Sequence, residues 1–182
     1  GELTTIGYKE QQDLQAALDY LEKRGLPAGR QGFRKVGAMG FSLGGVVAIL
    51  TGSKDARLKA IVSDSAFASI DLMGHEFYRE LFTLKYPLTF LTKLWARIFL
   101  RFNPDEIAPE KAASQLQIPI LLIHSKKDQT IPFENALRIQ KAIQNNPKAV
   151  FFFLEEGTHG ALSTHLQKEY EGNVLEFFEK NL

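Results

Sequence analysis

Four short apolar runs, each bounded by turn residues and alternating with helical stretches, constrain this chain more than any other feature. They read KVGAMGF, LKAIVSDSA, IPILLIHS and AVFFFLEE. Runs of this length without strict polar alternation fit strands buried on both faces. Parallel neighbours need long crossovers, and the chain supplies them as LGGVVAILTG after the first run, FENALRIQKAIQ after the third and a final helix near 163–180. An amphipathic helix over residues 8–24 comes before them all, with Leu14, Ala17, Leu18 and Leu21 at helical spacing and Gly25 as a stop. A Pro/Gly-rich turn over 26–32 connects it to the first strand. The pattern predicts an α/β domain: a mainly parallel sheet of about four strands with flanking helices.

At 182 residues with 45% apolar content, the chain is sized for one domain with its own core. Twenty-two basic side chains nearly cancel 21 acidic ones, so no global field recruits nucleic acid, and no nucleic-acid partner is expected. The lack of cysteine excludes disulfides, thiolate metal sites and a cysteine nucleophile. No stretch approaches the roughly 20 apolar residues of a membrane span. The opening GELTTIGYKEQQ lacks a signal-peptide layout, and a cytoplasmic location is the expectation.

Residues 68–108 break the strand–helix rhythm, and a connection of that length predicts a cap or lid with helices of its own. Within it, Leu91, Leu94, Trp95, Ile98 and Phe102 share one helical face, while Lys93, Arg97 and Arg101 line another. A lid helix over 88–102 with its apolar face turned inward is the expected arrangement, and a helix lying on a membrane surface is the alternative.

The strongest chemical signal is Gly40-Phe41-Ser42-Leu43-Gly44, where a predicted strand runs into a predicted helix. A serine lifted onto a tight turn needs neighbours without side chains, so that the backbone can bend and a substrate can approach. The same turn puts the Leu43 N–H at a helix N-terminus, placed to donate to an oxyanion. A phosphate loop would carry Lys followed by Ser or Thr, whereas this run continues Val46-Val47-Ala48. Serine needs a base oriented by a third group. His159, in the glycine-bounded EEGTHG loop after the last strand, is the candidate base. His124 ends an apolar strand and is expected to be buried or to line the site, His75 falls in the cap, and His165 begins the final helix. Asp128, in the HSKKDQTIP loop after the clearest strand, is the candidate orienter, with Asp64 at the end of the second strand its rival.

The order Ser42, Asp128, His159 resembles that of the α/β-hydrolase fold. The stretches TTIGYKEQQDLQAALDYL, GFSLGG, IPILLIHSKKDQTIP and GTHG are similar to the C-terminal two thirds of bacterial dipeptidyl-aminopeptidase-like or acylaminoacyl-peptidase-like hydrolases and their Bem46-like relatives. The resemblance implies a partial α/β-hydrolase fold with Ser42 as nucleophile, Asp128 as orienter and His159 as base. It implies hydrolysis of small-molecule esters or amides through an acyl-enzyme, with no cofactor and no metal. Members of the family have several strands before the helix at 8–24, and a loop after one of them donates the second oxyanion N–H. The sequence opens at that helix, so residues 1–182 are expected to be a single catalytic domain without those strands. Two expectations follow. One is an impaired fragment or binding module as the alternative function; the other is an exposed KVGAMGF edge that pairs with a second copy or a separate N-terminal piece.

Overall fold

Strand order in the sheet follows chain order. The computed structural model describes residues 4–24, 35–160 and 164–182; the turn expected over 26–32 lies outside them. β1 (Val36–Phe41), β2 (Leu58–Asp64), β3 (Ile120–Ser125) and β4 (Ala149–Leu154) form one parallel sheet in the order β1-β2-β3-β4. Each crossover therefore moves one strand along in the same direction. α2 (Leu43–Gly52) carries the chain from β1 to β2 and α6 (Glu134–Ala142) carries it from β3 to β4.

The apolar runs lack polar alternation because both sheet faces are covered. On one face, Val46, Ile49 and Leu50 of α2, Ile139 of α6 and Leu18 of α1 (Glu10–Arg24) enclose Ile61 and Leu122. On the other, Val174 and Phe177 of α7 (Thr164–Asn181) cover Ala60, Val62, Leu121 and Ile123. Every residue of β3 is buried. The outer strands are not: Met39 of β1 is 47% exposed, and Val150 and Phe151 of β4 are open to solvent. Among the described residues, β1 has β2 alone as a hydrogen-bonded neighbour.

The long connection from β2 to β3 is helical, comprising α3 (Ile70–Phe77), a 3₁₀ stretch, α4 (Lys85–Trp95), a π turn over Ala96–Leu100, a second 3₁₀ turn and α5 (Pro109–Ala113). The Ser69 side chain caps α3 by accepting the Leu72 N–H at 3.2 Å. A continuous helix over 88–102 with its apolar face inward does not form. The α-helix ends at Trp95, Arg101 adopts a left-handed conformation (φ 55°), and of the expected inward stripe Phe102 alone is buried. Leu91, Leu94, Trp95 and Ile98 face solvent, with Trp95 53% exposed.

The reason lies in which residues permit close approach. α3 meets α4 at Gly74, where a Cβ would stand 2.5 Å from Thr89 Cγ2. Thr89 and Ala96, small residues one and a half to two turns apart, are buried together with most of the Lys93 side chain. Lys93 Nζ bridges Asp71, at 2.8 Å, and Asp105, and Arg97 also pairs with Asp105. The contact stripe is thus small and ion-paired, and the large apolar side chains are left on the outer surface.

Candidate active site

β1 ends at Phe41, α2 begins at Leu43, and Ser42 alone makes the turn between them, with φ 53° and ψ −116°. A non-glycine residue there carries roughly 1–3 kcal/mol of strain, held only because the surroundings over-determine it. Its N–H donates to the Asp64 carbonyl at 2.8 Å, continuing the sheet ladder beyond the strand. A Cβ on Gly40 would fall 2.1 Å from the Gly44 carbonyl carbon, and one on Gly45 would fall 2.9 Å from Ser63 Oγ. Both glycines are therefore required by the tightness of the turn. Gly44 faces open space, with nothing within 4 Å of the equivalent position. The Ser42 side chain makes no capping bond, and the Leu43 N–H stands in the first turn of α2.

Asp128 lies in the tight loop after β3, with its carboxylate fully buried. Its Oδ1 accepts the backbone N–H groups of Thr130 at 2.8 Å and Ile131 at 2.9 Å. Its Oδ2 accepts from His159 Nδ1 at 2.7 Å. A carboxylate has no proton to give, so Nδ1 is the donor in this bond, and in the neutral ring that leaves Nε2 as the acceptor nitrogen. His159 is presented by the loop after β4, which bends through Gly157 (φ 99°) and Gly160 (φ 74°). The Phe41 ring packs against the imidazole at 4.7 Å between centroids, and the Ser125 hydroxyl ties the loop by donating to the Gly157 carbonyl at 2.5 Å.

His124 is fully buried at the end of β3, with Nε2 2.8 Å from the Ile131 carbonyl. That bond makes Nε2 the donor and leaves Nδ1 without a hydrogen-bond partner among the described residues. Burial pushes the His124 imidazole below its ordinary value. It lies beneath the Asp128 loop and steadies it through Ile131. His75 packs on Tyr86 in the helical connection, and His165 is exposed on α7.

Asp64 does not reach His159 by a hydrogen bond. Its Oδ1 accepts from the Ser65 hydroxyl at 2.8 Å and its Oδ2 from the Tyr170 hydroxyl at 2.9 Å. Burial raises the Asp64 carboxyl above its usual range, against the pull of those hydroxyls and of His124 and His159. Tyr170 is also raised, first by burial and then by the Asp64 charge. This pair went unnoticed in the sequence, where nothing marks Tyr170 on the outer-looking face of α7. A cavity of about 480 Å³ opens beside it, lined by Phe41, Asp64, Ser65, Thr158, Gly160 and Tyr170 among others. Among the described residues, no cluster of His, Asp and Glu side chains is placed to hold a metal, and no helix is long and apolar enough to cross a membrane.

A parallel sheet with a strained serine at the strand-to-helix turn, and an Asp–His pair on the loops after the third and fourth strands, defines an α/β-hydrolase. Residues 4–182 match the model of the prolyl oligopeptidase family, and the chain belongs to that family of serine hydrolases. Its sequence is 25% identical to the uncharacterized protein YqkD of Bacillus subtilis, over 98% of this chain and 57% of that protein. Its fold resembles the Pyrococcus furiosus esterase Pf2001, with a TM-score of 0.74 at 22% identity over all of this chain and 65% of that one. It also resembles the Pyrococcus horikoshii acylaminoacyl peptidase, with a TM-score of 0.73 at 21% identity over 97% of this chain and 28% of that one. The chain thus spans less than two thirds of the length of these relatives.

Proposed function

We infer that this chain carries the catalytic residues of a serine hydrolase acting on carboxylic esters or small amides. The observation that carries the reading is the 2.7 Å bond from His159 Nδ1 to a fully buried Asp128, at the same C-terminal end of the parallel strands as the strained Ser42 turn. In the proposed reaction, Ser42 Oγ attacks the substrate carbonyl carbon while His159 Nε2 takes the hydroxyl proton. Asp128 fixes the ring and balances the imidazolium that forms. The Leu43 N–H donates to the oxyanion, and the second donor is expected from the longer polypeptide that such relatives possess. As the tetrahedral intermediate collapses, the C–O or C–N bond breaks and Nε2 returns the proton to the departing alcohol or amine. Water then repeats the sequence on the acyl-enzyme, releasing the acid and restoring the Ser42 hydroxyl.

A fluorophosphonate probe tests this reading. Covalent labelling is expected in the unsubstituted chain and is expected to vanish in Ser42→Ala. Equal labelling of both would refute it, and a folded chain that takes no label would favour an impaired module, since one missing oxyanion donor costs about 10²–10³ in rate.

A further inference from the structure

The helical connection between β2 and β3 leaves its largest apolar side chains outside. Phe90, Leu91, Trp95 and Ile98 lie on the face of α4 and its π continuation opposite the small contact stripe of Thr89 and Ala96, and each is exposed. Phe99 extends that face, its ring 5.3 Å from the Trp95 ring. α4 packs chiefly on α3, on the 3₁₀ stretch Arg79–Leu84 and on its own continuation, and its outer face meets solvent. A second observation points the same way. Phe82, in the turn that leads into α4, holds φ 45° and ψ −115°, which a bulky residue rarely adopts, yet its ring is 82% exposed. No burial within the domain offsets that strain, and an apolar occupant outside it does.

Charge selects the occupant. Residues 81–104 contain no Asp or Glu, whereas Lys85, Lys93, Arg97 and Arg101 are all basic. Lys93 and Arg97 are tied to Asp71 and Asp105 on the inner flank. Lys85 and Arg101 stand at the two ends of the apolar face, and neither has a carboxylate partner among the described residues. An apolar face carrying Trp and Phe, flanked by free cations on long aliphatic stems, suits a helix lying in the headgroup layer of a bilayer. None of the described helices is long and apolar enough to cross one. A second copy fits less well, because a twofold pairing of this face sets Lys85, Arg97 and Arg101 against the same three cations. We propose that the outer face of residues 82–101 is a docking surface for an anionic lipid bilayer, on which the chain lies without spanning it. The proposal stands apart from the serine-hydrolase reading, and neither depends on the other.

Trp95 is the chain's one tryptophan, so its emission reports on this face directly. The chain is titrated with phosphatidylcholine vesicles and with vesicles that also contain phosphatidylglycerol. Emission is expected to move to shorter wavelength with both, and to be quenched when the acyl chains carry bromine. Two free cations should make binding to the anionic vesicles roughly 10–30-fold tighter. Lys85→Gln combined with Arg101→Asn, which keeps a residue tolerant of positive φ at 101, should reduce that preference to about twofold. Leu91→Glu combined with Ile98→Glu keeps Trp95 and alters only exposed positions, and it should abolish the shift and the quenching with both kinds of vesicle. No shift with either vesicle overturns the proposal, as does a double glutamate variant that binds like the unsubstituted chain. Equal affinity for the two compositions overturns the anionic preference. A shift that appears without lipid as protein concentration rises overturns the lipid assignment in favour of a second copy.

Discussion

Asp128 divides its two oxygens between tasks: Oδ2 accepts from His159 Nδ1 at 2.7 Å, while Oδ1 accepts the N–H groups of Thr130 and Ile131. The loop is thus shaped by the same carboxylate that orients the ring. Asp128→Asn separates the two. Its amide oxygen can keep the backbone bonds, while its NH₂ then faces Nδ1 and stabilises the ring tautomer with the hydrogen on Nε2, which cannot accept the serine proton. The expected outcome is a fall in labelling or ester hydrolysis of roughly 10³–10⁴-fold with a nearly unchanged melting temperature. A chain that melts early would show that the loop bonds, and not the tautomer, were lost.

The turn's two flanking glycines should respond oppositely. Gly40→Ala forces a methyl to within 2.1 Å of the Gly44 backbone, which cannot yield without moving Ser42. Gly44→Ala meets nothing within 4 Å, and alanine in the first turn of a helix is favoured over glycine by about 0.5–1 kcal/mol. Thermal melting should show a clear loss for the first and no loss for the second. Equal losses would mean that the Ser42 turn is looser than its φ of 53° implies.

Much of this was legible from sequence for a definite reason. The four apolar runs became the four strands because burial on both faces leaves an unbroken hydrophobic signature, and GFSLGG marked the turn because only glycine tolerates contacts of 2.1 Å. The contact between Asp128 and His159 could be anticipated because each follows a recognisable strand. The Asp64–Tyr170 bond could not, since it joins positions 106 residues apart and needs the three-dimensional placement of α7. The helix over 88–102 misled for another reason. An amphipathic stripe says that a face is apolar without saying what lies against it, and close packing at Gly74 selected Thr89 and Ala96 instead.

That reversal has its own test. Trp95→Glu should change stability by no more than about 0.5 kcal/mol, because the ring is already 53% exposed. Phe102→Ala should cost about 3–5 kcal/mol, since the ring is buried and stacked 5.2 Å from Tyr8. Denaturant unfolding of both variants checks the pair. A large loss for Trp95→Glu would restore the inward-facing helix.

Acid should weaken the start of α1 through Glu10. Burial pushes its carboxyl up, but the Thr5 hydroxyl and N–H, the Thr4 hydroxyl and its own backbone hold it down, to about 2 from 4.5. A carboxyl depressed in the folded state stabilises fully above its unfolded value and loses that contribution as pH falls from about 4.5 towards about 2. The half-exposed position discounts the effect. Glu10→Gln should therefore melt about 2–4 °C lower at pH 7, with the gap closing as pH falls through that window. A gap independent of pH would assign the effect to helix propensity.

The last prediction concerns β1. It is hydrogen-bonded to β2 on one side, and among the described residues its other side carries no strand, while Met39 and Phe41 are 47% and 42% exposed. A parallel apolar strand in that position presents unpaired N–H and C=O groups beside bare hydrophobic surface; between Val36 and Phe41 it carries no lysine or proline to blunt the edge, and its register irregularity is confined to Val36/Gly37 at the strand's start. Pairing along that edge would bury both kinds of group at once, so the purified chain is expected to associate, either with a second copy or with a separately supplied strand segment. Light scattering across micromolar concentrations should show a mass that rises above the 20.5 kDa of one chain. Met39→Lys, which places a charge on the exposed side chain without touching the Ser42 turn, should shift that association to higher concentration. A monomer that persists throughout the range and unfolds cooperatively would show that β1 is stable unpaired.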